Sequence, residues 1–339
     1  MTRLSMMIRR IAQAVPTVFG IIVVTFLMTR ALPGDPAAFF AGPAATEASI
    51  AEIRAQLGLD QPLWIQFSRY VQALSTGDLG KSISTGQAVT VDLATRLPAS
   101  IELTLFALLL SVGVAVPLGV LAATHQDRWI DQLCRLVVTA GVSLPTFFTG
   151  LLLVYFFYYL LGWAPMPLGR LDLLSVAPPH VTGMMLIDAP LAGEWSTAGS
   201  ALRQLLLPAA TLALFTLAPL ARMTRAAMLQ ALASEYIRTA RACGLSRRKI
   251  LFSYAFRNAQ LPVLTTLGMV FSFTLGANVL VEKVFSWPGI GSYAVEALVS
   301  SDYAAVQGFV LAMAILFVLL NLMIDLLYTL IDPRVRIDG

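Results

Sequence analysis

Charged residues are scarce in this chain of 339 residues: only 12% are Asp, Glu, Lys or Arg, against about 25% in an average soluble domain. The few charges are also unevenly distributed. Several uncharged runs reach the roughly 20 apolar residues that a helix needs to cross the hydrocarbon core of a bilayer. A soluble domain would not leave such runs, so the scarcity of charge predicts an integral membrane protein.

Histidine and cysteine are rarer still, with two of each. His125 and His180 fall in loops on opposite sides of the predicted membrane, which argues against an intramembrane serine protease or a shared metal site, and the His-Glu-x-x-His motif of zinc proteases is absent. Cys134 and Cys243 lie in or beside segments that we place at the cytoplasm, where a disulfide is not expected. We therefore expect no catalytic residue, no metal ligand and no directly bound cofactor.

The net charge of +4 at pH 7 by itself could indicate a nucleic-acid-binding protein. No basic face interleaved with aromatic residues occurs, as nucleic-acid recognition would require. Membrane proteins collect Lys and Arg on their cytoplasmic side, and this alone explains the excess of positive charge.

Continuously apolar segments predict an all-α fold, because a helix satisfies its own backbone hydrogen bonds within lipid. The predicted membrane-spanning helices are, within a few residues, 9–30, 99–123, 132–162, 204–223, 262–281 and 304–330. Pro117, Pro145 and Pro208 lie inside or near the ends of three of them, where proline commonly marks a kink. The first segment is longer than the core of a signal peptide and lacks a convincing cleavage site, so an uncleaved first helix is expected rather than a signal peptide.

The orientation follows from the distribution of Lys and Arg. These residues are concentrated at both termini and in the segments 124–131 and 224–261, which predicts that these parts are cytoplasmic. The long segments 31–98 and 163–203 then lie on the outer side. Within 31–98, helical periodicity occurs from Ile50 to Leu59, and aromatic residues recur every third position from Trp64. The whole chain, 1–339, is predicted to form a single transmembrane domain.

The segment 224–261 contains a distinctive run, EYIRTARACGLS, that begins at Glu235 and precedes a basic cluster. A helix here carries Ala240 and Gly244 four residues apart, which predicts a small, flat stripe suited to a groove on a partner. Gly244 followed by Leu245 and Ser246 is typical of a helix end. The alternative interpretation is an ordinary basic loop on the cytoplasmic side.

The longer segment EYIRTARACGLSRRKILFSYAFRNAQLPVLT resembles the cytoplasmic loop of ABC importer permeases. The resemblance is to the B-type permease subunits of bacterial dipeptide and oligopeptide importers of the peptide/nickel family, especially the dipeptide type. Arg238-Thr239-Ala240 stands where the general signature has Glu-Ala-Ala, as in the peptide branch. Further similar blocks follow in order over nearly the whole chain: LPGDP from Leu32, LGLDQPLWIQFSRYV from Leu57, GDLGKS from Gly77, TGMMLID from Thr182, EKVFSWPGIG from Glu282 and NLMIDLLYTLIDPRVR from Asn321.

This resemblance implies a six-helix type I ABC importer subunit in the bacterial inner membrane, with both termini cytoplasmic. The implied partners are a second permease subunit, two cytoplasmic ATPases that use ATP and Mg²⁺, and an external peptide-binding protein. The residues implied to couple the chain to the ATPases are Glu235, Tyr236, Arg238, Thr239, Ala240, Arg241 and Gly244. The run Gly77-x-x-Gly80-Lys81-Ser82 is not a P-loop, because Ser75 stands where its first glycine belongs. ATP hydrolysis is therefore expected in the partners.

Polar residues within the predicted helices are candidates for the translocation pathway or its gate. They are Ser272, Thr274, Asn278, Glu282, Asn321 and Asp325. Each has an alternative structural interpretation, because hydroxyl and amide groups also hold helices together in lipid. Two other functions remain open: the same machine with nickel or another small solute as cargo, and a secondary transporter or channel that works alone.

Overall fold

A computed structural model of the chain describes residues 3–31, 37, 45–56 and 58–331, with side chains for 15–28, 30, 37, 45–56 and 58–324. Throughout this part of the chain the regular structure is helical, apart from one isolated backbone bridge between Lys81 and Ala88. The all-α membrane fold is thereby confirmed. The motif that begins at Leu32 and the arginines near the C-terminus lie outside the described residues.

The helices are numbered in chain order. They are α1 (Arg3–Ala31), α2 (Glu47–Gln56), α3 (Leu63–Ser75), α4 (Val89–Thr124), α5 (Trp129–Val142), α6 (Thr146–Leu160), α7 (Met185–Leu191), α8 (Trp195–Leu232), α9 (Glu235–Ala242), α10 (Arg247–Val284), α11 (Ile290–Val299) and α12 (Tyr303–Ile331). Two stretches are π-helical, Val154–Leu160 in α6 and Ile250–Phe256 in α10.

The predicted count of six membrane-spanning helices is not exact. Among the described residues, α4, α8, α10 and α12 are long and apolar enough to cross a membrane. Helices α5 and α6 reach that length only as a pair, and their axes meet at 99°. The helix is interrupted there because Pro145 lacks a backbone N–H and disfavours helical geometry at Leu144. The number of helices that could span a membrane among the described residues is thus four, or five if the bent pair is one span. In α1, the stretch Val15–Met28 is apolar but shorter.

Several helices extend beyond their predicted spans. The spans 99–123, 204–223 and 262–281 lie inside α4, α8 and α10, and each helix continues into polar sequence. An apolar run marks the part of a helix that can lie in lipid, whereas backbone hydrogen bonding continues into the aqueous phase. The predicted outer segments also contain helices: α2 and α3 lie within 31–98, and α7 lies within 163–203.

The chain divides into two compact units, one formed by Met1–Pro98 with Pro288–Leu322 and the other by Ala99–Trp287 with Met323–Gly339. In the first unit, Val89 at the start of α4 is fully buried in a cluster with residues of α11 and α12. A Cβ added at Gly308 would clash with Val89 Cγ1, so glycine is what permits this contact between α12 and α4.

In the second unit, α8 is the central helix. Of its most apolar 18-residue window, 67% is buried, against 33% for α4 and α10. Buried residues of α8 contribute to three successive clusters along its length, each named here by one member: the Trp287 cluster, the Leu217 cluster and the Ile237 cluster. The Ile237 cluster joins the C-terminal end of α8 and the N-terminal part of α10 to α9. It therefore supports the run EYIRTARACGLS that begins at Glu235.

Candidate functional site

Helix α9 is a short helix that begins after Ser234, whose backbone is extended (φ −75°, ψ 152°). Glu235 occupies its first turn, where a negative side chain complements the partial positive charge of a helix N-terminus. Arg241 occupies the last turn, where a positive charge is favourable for the same reason. The charge pattern of the sequence therefore matches the direction of the helix.

The end of α9 is a Schellman motif. Gly244 has a left-handed backbone, with φ +72°. Its N–H donates to the Arg241 carbonyl at 3.0 Å, and the N–H of Leu245 donates to the Ala240 carbonyl at 3.2 Å. These two bonds satisfy carbonyls that would otherwise be left open at the helix end. The predicted helix end at Gly244 is observed in the structure.

One face of α9 is buried against the chain itself. Ile237 is fully buried and Ala240 is 6% exposed, and both belong to the Ile237 cluster with Met228 of α8 and Ala255 and Ala259 of α10. The prediction that Ala240 and Gly244 form a stripe facing a groove on a partner is therefore wrong for Ala240. A small residue at that position lets α9 lie close to its own supporting helices, and the sequence alone does not distinguish this from contact with a partner.

The opposite face of α9 is polar and exposed. Its members are Glu235, Tyr236, Arg238, Thr239 and Arg241, followed by Gly244. A contact of 3.6 Å joins Arg238 to Glu235, but both side chains are more than 80% exposed, so this ion pair adds little stability. A Cβ placed at Gly244 would meet no heavy atom within 4 Å, so the surface beside it is open. These residues thus form an exposed polar surface on a helix whose other face packs against α8 and α10.

A buried ion pair that sequence reasoning missed lies near this base. Asp131 in the first turn of α5 is fully buried and accepts hydrogen bonds from Arg225 of α8 at 2.7 and 2.8 Å. Arg135, one turn further along α5, contacts the same carboxylate at 3.4 Å. An acidic residue in the first turn of a largely apolar helix was the available signal, since such groups require a partner in or near lipid.

Among the pathway candidates, Asn278 and Glu282 face α4 within the second unit. The Asn278 amide donates to Thr104 Oγ1 at 2.5 Å and to the Ser100 carbonyl at 3.3 Å. The Ser100 hydroxyl donates to Glu282 Oε1 at 2.5 Å. Both candidates are at most 1% exposed. Their contacts favour a structural role for these two residues in joining α10 to α4.

Two of the other four candidates, Thr274 and Ser272, donate to carbonyls of their own helix. Thr274 is buried and its hydroxyl donates to the Val270 carbonyl of its own helix at 2.6 Å. Ser272 is half-buried and donates to the Gly268 carbonyl at 3.2 Å. Asn321 is exposed, and the side chain of Asp325 lies outside the described residues. Among the candidates whose side chains the structure describes, Asn278 and Glu282 belong to one polar cluster within the second unit, and a pathway role for the others stays a prediction.

The fold and the α9 surface can be compared with known proteins. The family described as "Binding-protein-dependent transport system inner membrane component" matches residues 115–337, which include α9 and the helices α8 and α10 that support it. A second family, its N-terminal component, matches residues 3–104. The chain belongs to the binding-protein-dependent transport permeases. Its relatives are similar over their full length.

Three relatives illustrate this similarity. The chain is 45% identical to the "Probable D,D-dipeptide transport system permease protein DdpB" of Escherichia coli K12, covering 100% of this chain and 99% of the relative. It is 42% identical to the "Di/tripeptide transport system permease protein DppB" of Pseudomonas aeruginosa, covering 98% and 99%. It is 37% identical to the "Dipeptide transport system permease protein DppB" of Escherichia coli K12, covering 98% and 99%. The predicted kinship with peptide-type permease subunits is confirmed.

In this permease, the segment between α6 and α8 is held by two buried carboxylates. Glu102 of α4 binds Arg170 through a contact of 2.5 Å and accepts a hydrogen bond from the Leu186 amide at 2.7 Å. Asp188 accepts hydrogen bonds from the Thr182 hydroxyl and from the amides of residues 181–183. Burial raises the pKa of Asp188, but these hydrogen bonds outweigh it and hold the pKa below its ordinary value.

Between these anchors the permease exposes an apolar tip. Leu173 is 83% exposed, Leu174 is 98% exposed and Val176 is 80% exposed. On the N-terminal side of the tip, Asp172 accepts hydrogen bonds from Ser200 at 3.0 Å and Gln204 at 2.9 Å, both on α8. The tip is thus part of an ordered segment. Sequence reasoning assigned 163–203 as an outer segment rich in Pro and Gly and did not identify these anchors.

Proposed function

We propose that this chain is a transmembrane permease subunit of an ATP-driven importer that carries dipeptides and short oligopeptides across the bacterial inner membrane. The observation that carries the proposal is α9: an exposed polar face on a buried base, in a chain whose full-length relatives are named as peptide transport permeases. In this proposal the chain is not an enzyme and binds no cofactor. ATP and Mg²⁺ are used by two cytoplasmic partner ATPases.

The exposed face of α9 is the surface proposed to couple the permease to an ATPase. Ile237 and Ala240 fix α9 to the ends of α8 and α10, so a displacement of α9 is transmitted to both helices through packed side chains rather than through a flexible loop. Both termini and the segment 224–261 are cytoplasmic in this proposal, in agreement with the excess of Lys and Arg there.

On the outer side, the segments 31–98 and 163–203 are proposed to receive an external peptide-binding protein. The exposed apolar tip at Leu174 supports this part of the proposal, because clustered exposed apolar residues are typical of contact surfaces. A second, homologous permease subunit would complete the pathway.

The test is reconstitution of the chain in liposomes with a second permease, two ATPases and the binding protein encoded beside it. Labelled dipeptide should accumulate only with ATP and all subunits present. Accumulation without the ATPases would identify a transporter that works alone and would overturn the proposal. Parallel measurements with a tripeptide, a free amino acid and Ni²⁺ define the cargo, and uptake of Ni²⁺ in place of peptide would overturn the cargo assignment alone.

A further inference from the structure

Helix α5 is not part of the packed base on which α9 rests. The Ile237 cluster contains residues of α4, α8, α9 and α10 and none of α5, although the structure describes every residue of α5. The buried residues of α5 lie on one face and are Asp131, Cys134 and Val138. The cluster therefore links α9 to α8 and α10, and a separate contact has to join α5 to these helices.

The ion pair of Asp131 and Arg225 is placed to make this link. Arg225 precedes Met228, a member of the Ile237 cluster, by about one turn of α8. Its guanidinium donates to both carboxylate oxygens of Asp131, at 2.8 and 2.7 Å. A two-point bond fixes the orientation of the two groups as well as their distance. The start of α5 is thus held in a defined position beside the part of α8 that leads to α9.

The apolar contacts between α5 and α8 supply attraction without this definition. Val138 packs with Leu217 and Ala218 of α8 in the Leu217 cluster. Such burial is non-directional, so it holds the two helices together but resists a sliding movement only weakly. A buried ion pair adds little net stability over apolar residues of similar size, because desolvation offsets the attraction of the charges. What this pair adds to the apolar contacts is a fixed orientation.

Beyond the bend at Pro145, α5 leads into α6, and α6 lies against the other helices of the second unit. A Cβ added at Gly150 of α6 would lie 3.4 Å from Thr211 of α8 and 3.4 Å from Val284 of α10. A displacement of α5 is therefore passed to a helix that is packed between two of the membrane-crossing helices.

We propose that Asp131 and Arg225 are positioning residues that carry a movement of α9 to α5 and α6 when a partner ATPase acts on the exposed face of α9. The inference rests on the proposed function and deepens it. Asp131 is fully buried, so it can act only through its contacts inside the chain and not by touching an ATPase or the cargo.

The experiment uses the assembled importer in liposomes: this chain, a second permease, two ATPases and the binding protein. The quantity measured is the amount of dipeptide taken up per ATP hydrolysed. The double variant Asp131→Asn/Arg225→Gln removes both charges together, so no buried charge is left unpaired and the fold should be retained. The ratio should fall about fivefold or more in this variant, as expected for the loss of a coupling contact.

Two further variants separate positioning from stabilisation. Arg225→Lys keeps the positive charge but not the planar two-point donor, so it should unfold at nearly the wild-type denaturant concentration while the ratio still falls. Arg135→Gln is the matched control. Arg135 contacts the same carboxylate at 3.4 Å but lies on the same helix, so it cannot join α5 to α8, and its removal should leave the ratio unchanged.

The inference is overturned if the double variant keeps the wild-type ratio or if Arg135→Gln lowers it equally. Uptake that falls in step with the amount of assembled complex, at an unchanged ratio, would assign the pair to stability alone. A ratio that falls in Arg225→Gln but not in Asp131→Asn would mean that Arg225 contacts the ATPase itself, which also contradicts the inference. Absence of ATP-dependent uptake by the wild type would instead refute the proposed function, and this inference with it.

Discussion

Asp131 and Arg225 form a two-point ion pair between α5 and α8. Arg225 Nε lies 2.8 Å from Asp131 Oδ1, and Arg225 Nη2 lies 2.7 Å from Asp131 Oδ2. The amide of Asp127 donates to the same carboxylate at 3.1 Å. Since Asp131 is fully buried, its charge depends on these donors for stabilisation. The pair therefore fastens the start of α5 to the part of α8 that leads to α9.

We expect Arg225→Ala to destabilise the protein by roughly 3 kcal/mol, because it leaves a buried carboxylate without its main partner. The measurement is denaturant unfolding of the purified protein in detergent. Arg135→Ala is the control: its side chain is half-exposed and its contact with Asp131 is 3.4 Å long. That variant should lose less than about 1 kcal/mol. Equal losses in the two variants would show that Arg225 does not supply the main stabilisation of Asp131.

A second prediction concerns the contact between α4 and α8. A Cβ at Gly119 would lie 2.6 Å from Thr224 Cβ and 2.8 Å from the Ala221 carbonyl oxygen. Gly119→Ala should therefore cost about 1–3 kcal/mol of unfolding free energy through overpacking. A Cβ added at Gly113, on the same helix, would meet no heavy atom within 4 Å, so Gly113→Ala should be neutral or stabilising by up to about 1 kcal/mol. The same unfolding assay compares the two, and a neutral Gly119→Ala would contradict the close packing.

Part of this fold could be predicted from the sequence and part could not. Apolar runs predicted where helices cross the membrane, and Gly244 predicted where α9 ends, because both signals are local. The partner of Asp131 could not be predicted, since Arg225 lies 94 residues away and many arginines compete for the assignment.

Two other features lay beyond a sequence-based prediction for different reasons. Pro145 predicted an irregularity in the span 132–162, but the angle of 99° depends on how both arms pack. Ala240 predicted contact with a groove on a partner, but it packs against helices of its own chain, and that choice depends on the tertiary fold.

The third prediction tests the coupling surface. Gly244→Val should reduce peptide uptake and cargo-stimulated ATPase activity in the assembled importer, while membrane levels of the chain stay normal. Valine at φ +72° is strained by roughly 1–2 kcal/mol, and its side chain would occupy the open surface beside α9. Gly244→Asn separates these effects, because asparagine tolerates a left-handed backbone but still fills the surface. If Gly244→Asn kept full coupling, the effect of valine would be backbone strain and not obstruction of docking.

The fourth prediction tests the orientation in the membrane. With Cys134 replaced by alanine, the exposed native Cys243 should react with a membrane-impermeant thiol reagent only after the cells are permeabilised. A cysteine at position 174, where the native leucine is 98% exposed, should react in intact cells. Trp287 is unsuitable as an outer reporter because it is 1% exposed and its indole N–H donates to the Ala99 carbonyl at 3.0 Å. The reverse labelling pattern would invert the proposed topology.

The fifth prediction concerns acid stability of the segment around α7. The pKa of Asp188 is held below its ordinary value in the folded state. Its ionised form therefore contributes stability at pH values above the ordinary carboxyl pKa of about 4, and this contribution is lost as the pH falls through the lowered folded-state pKa. The protection of the amides of 181–183 against hydrogen exchange, relative to the intrinsic rate at each pH, should fall in that acidic range.

In the variant Asp188→Asn, the amides of 181–183 should be poorly protected already at neutral pH. Their protection should then change less as the pH falls. Glu47→Gln is the control, because it also removes one negative charge but from an exposed position in the first turn of α2. If the two variants had the same exchange profile, the hydrogen bonds to Asp188 would not be what orders this segment.

The bond between Asn278 and Thr104 also has a consequence for biosynthesis. Thr104 is synthesised 174 residues before Asn278, which corresponds to roughly 10 to 35 s at ordinary elongation rates. During this interval Thr104 can donate to the Ser100 carbonyl of its own helix, at 2.7 Å, so the Thr104 hydroxyl has an acceptor before α10 is made. The bonds of Asn278 go to α4 instead. The amide of Asn278, made later, therefore has its two acceptors waiting on a helix that was synthesised before it.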